Sequence, residues 1–134
     1  MTYILDTNVV SALRRSDRAP RVASWLMAQT EADLFISAIT IGEIERGIHQ
    51  QERRNPAFAQ DLRAWMDQTV SVFADRLMPF TAADAVIWGD LSARIGHNGA
   101  DLMIAAQALR RDATVVTGNT RDFLPTGAAV FDPF

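Results

Sequence analysis

Short, nearly continuous apolar runs, each separated from the next by helix-length segments, restrict this chain to an α/β layer. Tyr3-Ile4-Leu5 and Leu34-Phe35-Ile36 lack the alternating polar residues of a half-exposed strand, so they read as strands buried on both faces. Thr114-Val115-Val116-Thr117 is the clearest strand, Leu77-Met78-Pro79-Phe80 a weak one, and Ala128-Ala129-Val130-Phe131 a last edge strand. Helical periods fill the intervals. The first starts at Asp6-Thr7-Asn8 and continues through Val9 to Arg15, and the second covers Arg21 to Gln29 with Val22, Trp25 and Leu26 inward. A third runs through Glu43 to about Glu52, with Ser37 or Thr40 as its cap. Pro56 suits the first turn of a helix to about Phe73, with Leu62, Trp65, Met66 and Val70 at helical spacing. Thr81-Ala82-Ala83-Asp84 opens another, to Ile95. Ala100 to Arg111 is apolar nearly all round and should be buried. Gly96-His97-Asn98-Gly99 reads as a turn, and Gly118 to Asp122 as a loop or short helix start. Strands joined through helices pair in parallel, so a mainly parallel sheet is expected.

The chain has 134 residues, 49% of them hydrophobic, which suits one domain with a real core. No repeat or linker interrupts it. The absence of cysteine removes disulfides, thiol nucleophiles and thiolate metal sites, and fits a reducing cytoplasm. Two histidines, His49 and His97, are too few for a histidine-based zinc site. No apolar run approaches a membrane span, and the start lacks the basic and apolar regions of a signal peptide. A net charge of −3 argues against a protein that coats nucleic acid, although not against a carboxylate enzyme acting on it. All 13 basic residues are arginine.

In an open α/β sheet, sites form beyond the C-terminal ends of the strands. Asp6 directly follows the first strand, and Asn119 and Asp122 follow the Thr114–Thr117 strand. Glu43 lies in the helix after the second strand, and Asp101 in the first turn of the buried helix. Oxygen donors of this kind suit Mg²⁺ or Mn²⁺. Such an ion activates water and stabilises charge on a phosphate in transit. Clustered carboxylates, in turn, stay ionised together only beside a cation. Each acid also has a plain structural reading. Asp6 can be a helix N-cap. Glu43 points about 160° away from Ile41 at about 100° per residue, as a solvated side chain would, and Glu45 is a rival nearer the apolar stripe. Asp101 can cap its helix or stand behind an Asn98 cap, though an ionised aspartate on an apolar helix needs a partner. Asp122 can be an ordinary loop residue.

Four stretches in order carry a resemblance: Ile4-Leu5-Asp6-Thr7-Asn8-Val9-Val10; Ile36 to Gly47, with Glu43 inside it; Ala100-Asp101-Leu102-Met103-Ile104-Ala105-Ala106; and Val116-Thr117-Gly118-Asn119-Thr120-Arg121-Asp122-Phe123. Together they resemble the PIN-domain toxins of the VapC/FitB type over essentially the whole chain. The resemblance implies a single PIN domain over residues 1–134, a three-layer α/β/α fold with a mainly parallel five-stranded sheet. It implies the toxin half of a type II toxin–antitoxin pair, an endoribonuclease dependent on Mg²⁺ or Mn²⁺. Asp6 and Asp101 would be the metal ligands. Glu43, preferred over Glu45 by its family position, would share the metal or polarise the attacking water, and Asp122 would complete the cluster. Thr117 and Asn119 would hydrogen-bond within the site, and Asn8 would hold the loop after the first strand. In-line attack of water on RNA would leave 5′-phosphate and 3′-hydroxyl ends. The implied partners are RNA, an antitoxin whose tail fills the acidic groove, and a second copy in a homodimer. Trp25, Phe58 and Trp65 could serve such a surface or the core, with the core favoured for Trp65. His97 could meet RNA, a plain exposed loop histidine being the stronger expectation. Two positions depart from the family pattern: Leu102 stands where a small residue is usual, and Asp132 where an Asn precedes the final Pro.

Two other readings compete. Phosphatases with an aspartyl nucleophile and receiver domains also begin with a strand ending in Asp, but they need a lysine beside the phosphoryl group, and this chain has none. A catalytically silent PIN-fold binding module would not need to retain all four acids.

Overall fold

A computed structural model describes residues 1–134. Five strands form one sheet: β1 (Tyr3–Leu5), β2 (Leu34–Ser37), β3 (Leu77–Met78), β4 (Thr114–Val116) and β5 (Ala129–Phe131). Their order is β3-β2-β1-β4-β5 and every pairing is parallel, a stricter arrangement than the mainly parallel sheet expected. The helices are α1 (Thr7–Leu13), α2 (Pro20–Met27), α3 (Ala38–Arg54), α4 (Pro56–Val72), α5 (Ala82–Ile95), α6 (Ala100–Arg111) and the short α7 (Thr120–Phe123).

The two-residue period of the strands divides the core. Leu5, Ile36 and Val116 face one side, where Val9, Val10, Val22, Ile44, Ile48 and Met66 pack on them from α1 to α4. Ile4, Val115 and Met78 face the other, against Leu91, Ile104, Ala105, Ala108 and Phe123 from α5 to α7. Three layers result, with β1 central and buried on both faces.

Several boundaries differ from the sequence reading for local reasons. α1 starts at Thr7 as read, with Asp6 as its N-cap accepting the Thr7 N–H, but it ends at Leu13 rather than Arg15. Ser37, not Thr40, caps α3; Thr40 is buried inside that helix. α3 runs on to Arg54, where Asn55 stands before Pro56 and leaves the helical region. β3 is only two residues long because Pro79 has no N–H to give the ladder. A buried side chain of α6 reinforces that edge: Gln107 Nε2 donates to the carbonyls of Met78 (3.2 Å) and Pro79 (3.0 Å), while its Oε1 accepts from Ser37 Oγ (2.6 Å).

Asp84 locks α5 to α6. Its carboxylate is fully buried. It accepts from Arg110 Nε at 2.6 Å, from both Arg111 Nη atoms at 2.8 and 3.1 Å, and from the Thr81 N–H at 2.9 Å in a capping box. Burial alone would raise this carboxyl; the guanidiniums of Arg111 and Arg110 and the Thr81 bonds outweigh it and hold it far below the usual carboxylate range. Asp84→Ala leaves two guanidiniums without a partner and should cost about 3–5 kcal/mol in urea unfolding at pH 7. A depressed folded pKa stabilises above the unfolded value of about 4, and that stabilisation is lost as pH falls through the folded value. The gap between parent and variant should therefore narrow in acid.

Candidate active site

The C-terminal ends of β1 and β4 lie side by side, and one hydrogen-bonded knot joins them. Asp6 follows β1 and is almost wholly buried. Its Oδ1 accepts the Thr7 N–H at 2.9 Å; its Oδ2 accepts from Thr117 Oγ1 at 2.8 Å and from Asn8 Nδ2 at 3.3 Å. Asn8 reaches across to β4, donating to Thr117 Oγ1 at 3.2 Å and accepting the Gly118 N–H at 3.0 Å. Thr117 Oγ1 also accepts the Asn119 N–H at 2.9 Å. Asn119 Nδ2 then donates to Asp122 Oδ2 at 2.6 Å. The three supporting residues read from the sequence thus form a relay from Asp6 to Asp122.

Glu43 reaches the site through a residue the sequence reading passed over. Thr7 Oγ1 donates to Glu43 Oε1 at 2.7 Å and lies 3.5 Å from Thr40 Oγ1. The only sequence signal was a hydroxyl directly after Asp6. Glu43 itself is exposed, as its angle from the apolar stripe implied. Its rival Glu45 is engaged elsewhere, accepting from Arg63 at 2.6 and 2.5 Å and approached by His49 Nε2 at 3.0 Å. The Arg63 bonds, followed by His49, hold the Glu45 carboxyl below its usual range.

Asp101 stands in the first turn of α6. The helix N-cap is Gly99, not Asn98 or Asp101, and it offers no side-chain cap. The half-buried Asp101 carboxyl is pushed up to about 6, by burial first, then by the charges of Asp6, Asp122 and Glu43, and by a hydrogen bond with Asp122. Burial also raises Asp6, outweighing the bonds from Thr117, Thr7 and Asn8, and the Asp122 charge adds to it. Asp101 therefore feels the charge of the other three acids. The donors are all oxygen, the type that Mg²⁺ and Mn²⁺ take, but no three of them stand close enough together to hold a metal ion as they are.

The periphery supports this centre. Asp132 Oδ1 accepts the Phe134 N–H at 2.8 Å, and the Phe134 ring lies over Gly118, where an added Cβ would come within 2.9 Å of it. Leu102 is fully buried, so the larger residue after Asp101 serves the core. His97 is exposed and its Nδ1 accepts the Gly99 N–H at 3.1 Å. Trp25 stacks on Phe131 at 5.1 Å and meets Tyr3 edge-on at 5.0 Å, so it closes the β1–β5 side of the fold. Phe58 and Trp65 line a groove of about 320 Å³ that ends at Thr7 and Glu43. Trp65 also packs on the core.

Fold and site together define an α/β/α domain with an acidic centre at the C-terminal edge of a parallel sheet. The family model described as PIN domain matches residues 3–126, and the chain belongs to that family. Among its relatives, Ribonuclease VapC14 of Mycobacterium tuberculosis (strain CDC 1551 / Oshkosh) is 51% identical over 79 residues, 57% of this chain and 77% of the relative. Toxin FitB of Neisseria gonorrhoeae (strain ATCC 700825 / FA 1090) is 31% identical over 140 residues, 98% of this chain and 97% of the relative. The crystal structure of FitAcB from Neisseria gonorrhoeae is similar with a TM-score of 0.84 at 32% identity, covering 98% of each chain.

The raised Asp101 pKa has a measurable consequence for the metal-free protein. A carboxyl raised on folding contributes its full stability below the unfolded value, about 4, and loses it as pH rises through about 6. Asp101→Asn should therefore be more stable than the parent at pH 7.5 by about 1 kcal/mol, allowing for screening of a half-exposed group. The difference should vanish near pH 4, as read by thermal unfolding in EDTA.

Proposed function

We propose that this chain is a metal-dependent endoribonuclease and the toxin of a type II toxin–antitoxin pair. The observation that carries the reading is the convergence of Asp6, Glu43, Asp101 and Asp122 at one edge of the sheet, where burial and the neighbouring acid charges raise Asp6 and Asp101, a cost that a divalent cation would relieve. Asp6 and Asp101 would hold the ion, with Asp122 and Glu43 completing its surroundings. Bound there, the ion would supply the positive charge that makes water nucleophilic at neutral pH and offsets charge on the phosphate. Asp6 is fixed by its three donors and gives the site its rigid reference point. Glu43, oriented by Thr7 and open to solvent, takes the proton from the attacking water. Attack in line with the leaving 3′-oxygen gives a 5′-phosphate and a 3′-hydroxyl.

The names of the relatives support this reading: a ribonuclease at 51% identity and a toxin at 31%. A solved relative at 33% identity is described as FitAB bound to a DNA fragment, a toxin-related complex. For this chain we accordingly assign a cognate antitoxin to the groove beside Glu43. Its floor of Ile44, Ile48, Phe58, Leu62 and Trp65 suits an apolar helix face, and its acidic end suits an inserted arginine. A homodimer working in the cytoplasm accompanies this assignment by family resemblance; no helix is long and apolar enough to cross a membrane.

Purified protein incubated with RNA should cleave it with Mn²⁺ or Mg²⁺ and stop in EDTA. Asp6→Asn and Asp101→Asn should each lose about 10²-fold or more, and relieve growth arrest on expression. RNA left intact with Mn²⁺, together with Asp101→Asn arresting growth like the parent, would overturn the proposal. Thr7→Val should lower kcat about tenfold by freeing Glu43, while Thr40→Val, which removes only the long contact behind Thr7, should leave kcat near the parent's; equal loss in the two would assign the effect to packing.

A further inference from the structure

Beyond the acidic centre, α3 carries a second, oppositely charged feature. Arg46, His49, Gln50, Arg53 and Arg54 line an open depression of about 400 Å³ with no apolar residue in it. None of the acids of the same helix forms an ion pair with its arginines: Glu45 is held by Arg63 of α4, Glu52 lies against the His49 ring, and Glu43 is turned to Thr7. Arg46, Arg53 and Arg54 form no ion pair. Arg53 and Arg54 occupy the last turn, where cations offset the helix dipole. Arg46 is in mid-helix, where that explanation does not reach.

The position of this patch relative to Glu43 gives it a use. At about 100° per residue, Gln50 and Arg54 lie within about 20° of Glu43 around the helix, Arg46 within about 60° and Arg53 within about 80°. They form a strip that starts one turn beyond Glu43 and continues to the helix end, about 16 Å away at about 1.5 Å per residue. An RNA strand whose scissile phosphate meets four carboxylates is repelled there. Its flanking phosphates need positive charge outside the cluster, and arginine forks match phosphate oxygens. In a chain of net charge −3, this strip concentrates unpaired arginine next to the site.

We infer that the outer face of α3 is a phosphate track, on which Arg46, Gln50, Arg53 and Arg54 hold the RNA backbone leading away from the scissile bond. This rests on the ribonuclease reading, and it assigns the direction and length of the substrate strand rather than its sequence. Backbone contacts of this kind bind single strands without base preference and are salt-dependent.

The test compares the parent with Arg46→Gln/Arg53→Gln/Arg54→Gln, all three positions being exposed and free of structural partners. Binding of a fluorescein-labelled single-stranded 12-nucleotide RNA is followed by anisotropy in EDTA, in an Asp101→Asn background that cannot cleave. The triple variant should bind about tenfold more weakly, and its slope of log K against log salt should be shallower by about 2, three contacts at about 0.7 each. In the cleavage-competent background with Mn²⁺, KM for the same RNA should rise about tenfold while kcat holds. Equal affinity and equal salt slope in the two proteins would overturn the track, whether or not the parent cleaves. A triple variant that keeps RNA affinity but loses its co-expressed antitoxin would overturn it too, making the face a protein contact. A parent that binds RNA through the arginines yet cleaves nothing with Mn²⁺ would support the track and refute the ribonuclease reading, so the two failures are distinct.

Discussion

The carboxylate of Asp6 is where fold and site meet. It caps α1, and through Thr117 and Asn8 it ties the end of β1 to the end of β4. Those strands are neighbours at the middle of the sheet, so this knot sets the spacing of the loops that leave them. Asn119 and Asp122 inherit their position from Thr117, and Glu43 inherits its own from Thr7, the residue that Asp6 caps. Both carboxylate oxygens of buried Asp6 and the hydroxyl of buried Thr117 have partners, which makes the inner half of the relay rigid. A single aspartate therefore helps to place two further acids, Glu43 of α3 and Asp122 of α7, while Asp101 is placed by its own helix.

Asp84 and Asp101 show what environment does to one residue type. Both are placed by helix N-termini on the same side of the sheet, in α5 and α6. Asp84 is enclosed by two guanidiniums, is held strongly ionised and cements two helices. Asp101 meets only other acids, is raised to about 6 and cements nothing. A fold that needed only stability would have paired Asp101 as it paired Asp84. A carboxyl raised by burial and by neighbouring acids at the open edge of a sheet is the kind of group found at functional sites, and on the proposed reading a cation would relieve it.

The layer architecture was legible because it depends on periodicity alone. Ile4 and Leu5 face opposite cores for the same reason that Tyr3-Ile4-Leu5 reads as a strand buried on both sides. The ends of elements were less legible, since α3 runs past Glu52 to Arg54 and β3 is cut short by one proline. Among the acids, Asp6 was marked by its place after a strand and Asp101 by its apolar helix. Glu43 could not be separated from Glu45 by spacing, because what separates them is the company they keep: Thr7 on α1 for one, Arg63 on α4 for the other. Partnerships across 36 and 18 residues leave no local trace in a sequence. The role of Thr7 and the clamp of Asp84 by Arg110 and Arg111 were invisible for the same reason.

On the proposed reading, one electrostatic hole accounts for three kinds of behaviour. The acids can be relieved by a proton, by a divalent cation or by an arginine from a partner, and each excludes the others to the extent that they share Asp101. Protonation at Asp101 competes with the metal below about pH 6. An antitoxin arginine entering past Glu43 would satisfy the same carboxylates without supplying a nucleophile, so inhibition needs no change of fold. The arginines of α3 stand outside that competition. They begin at Arg46, three residues on from Glu43, and run away from the centre to the helix end, so most of their charge would lie outside the cluster and attraction for a polyanion would coexist with a preserved metal site.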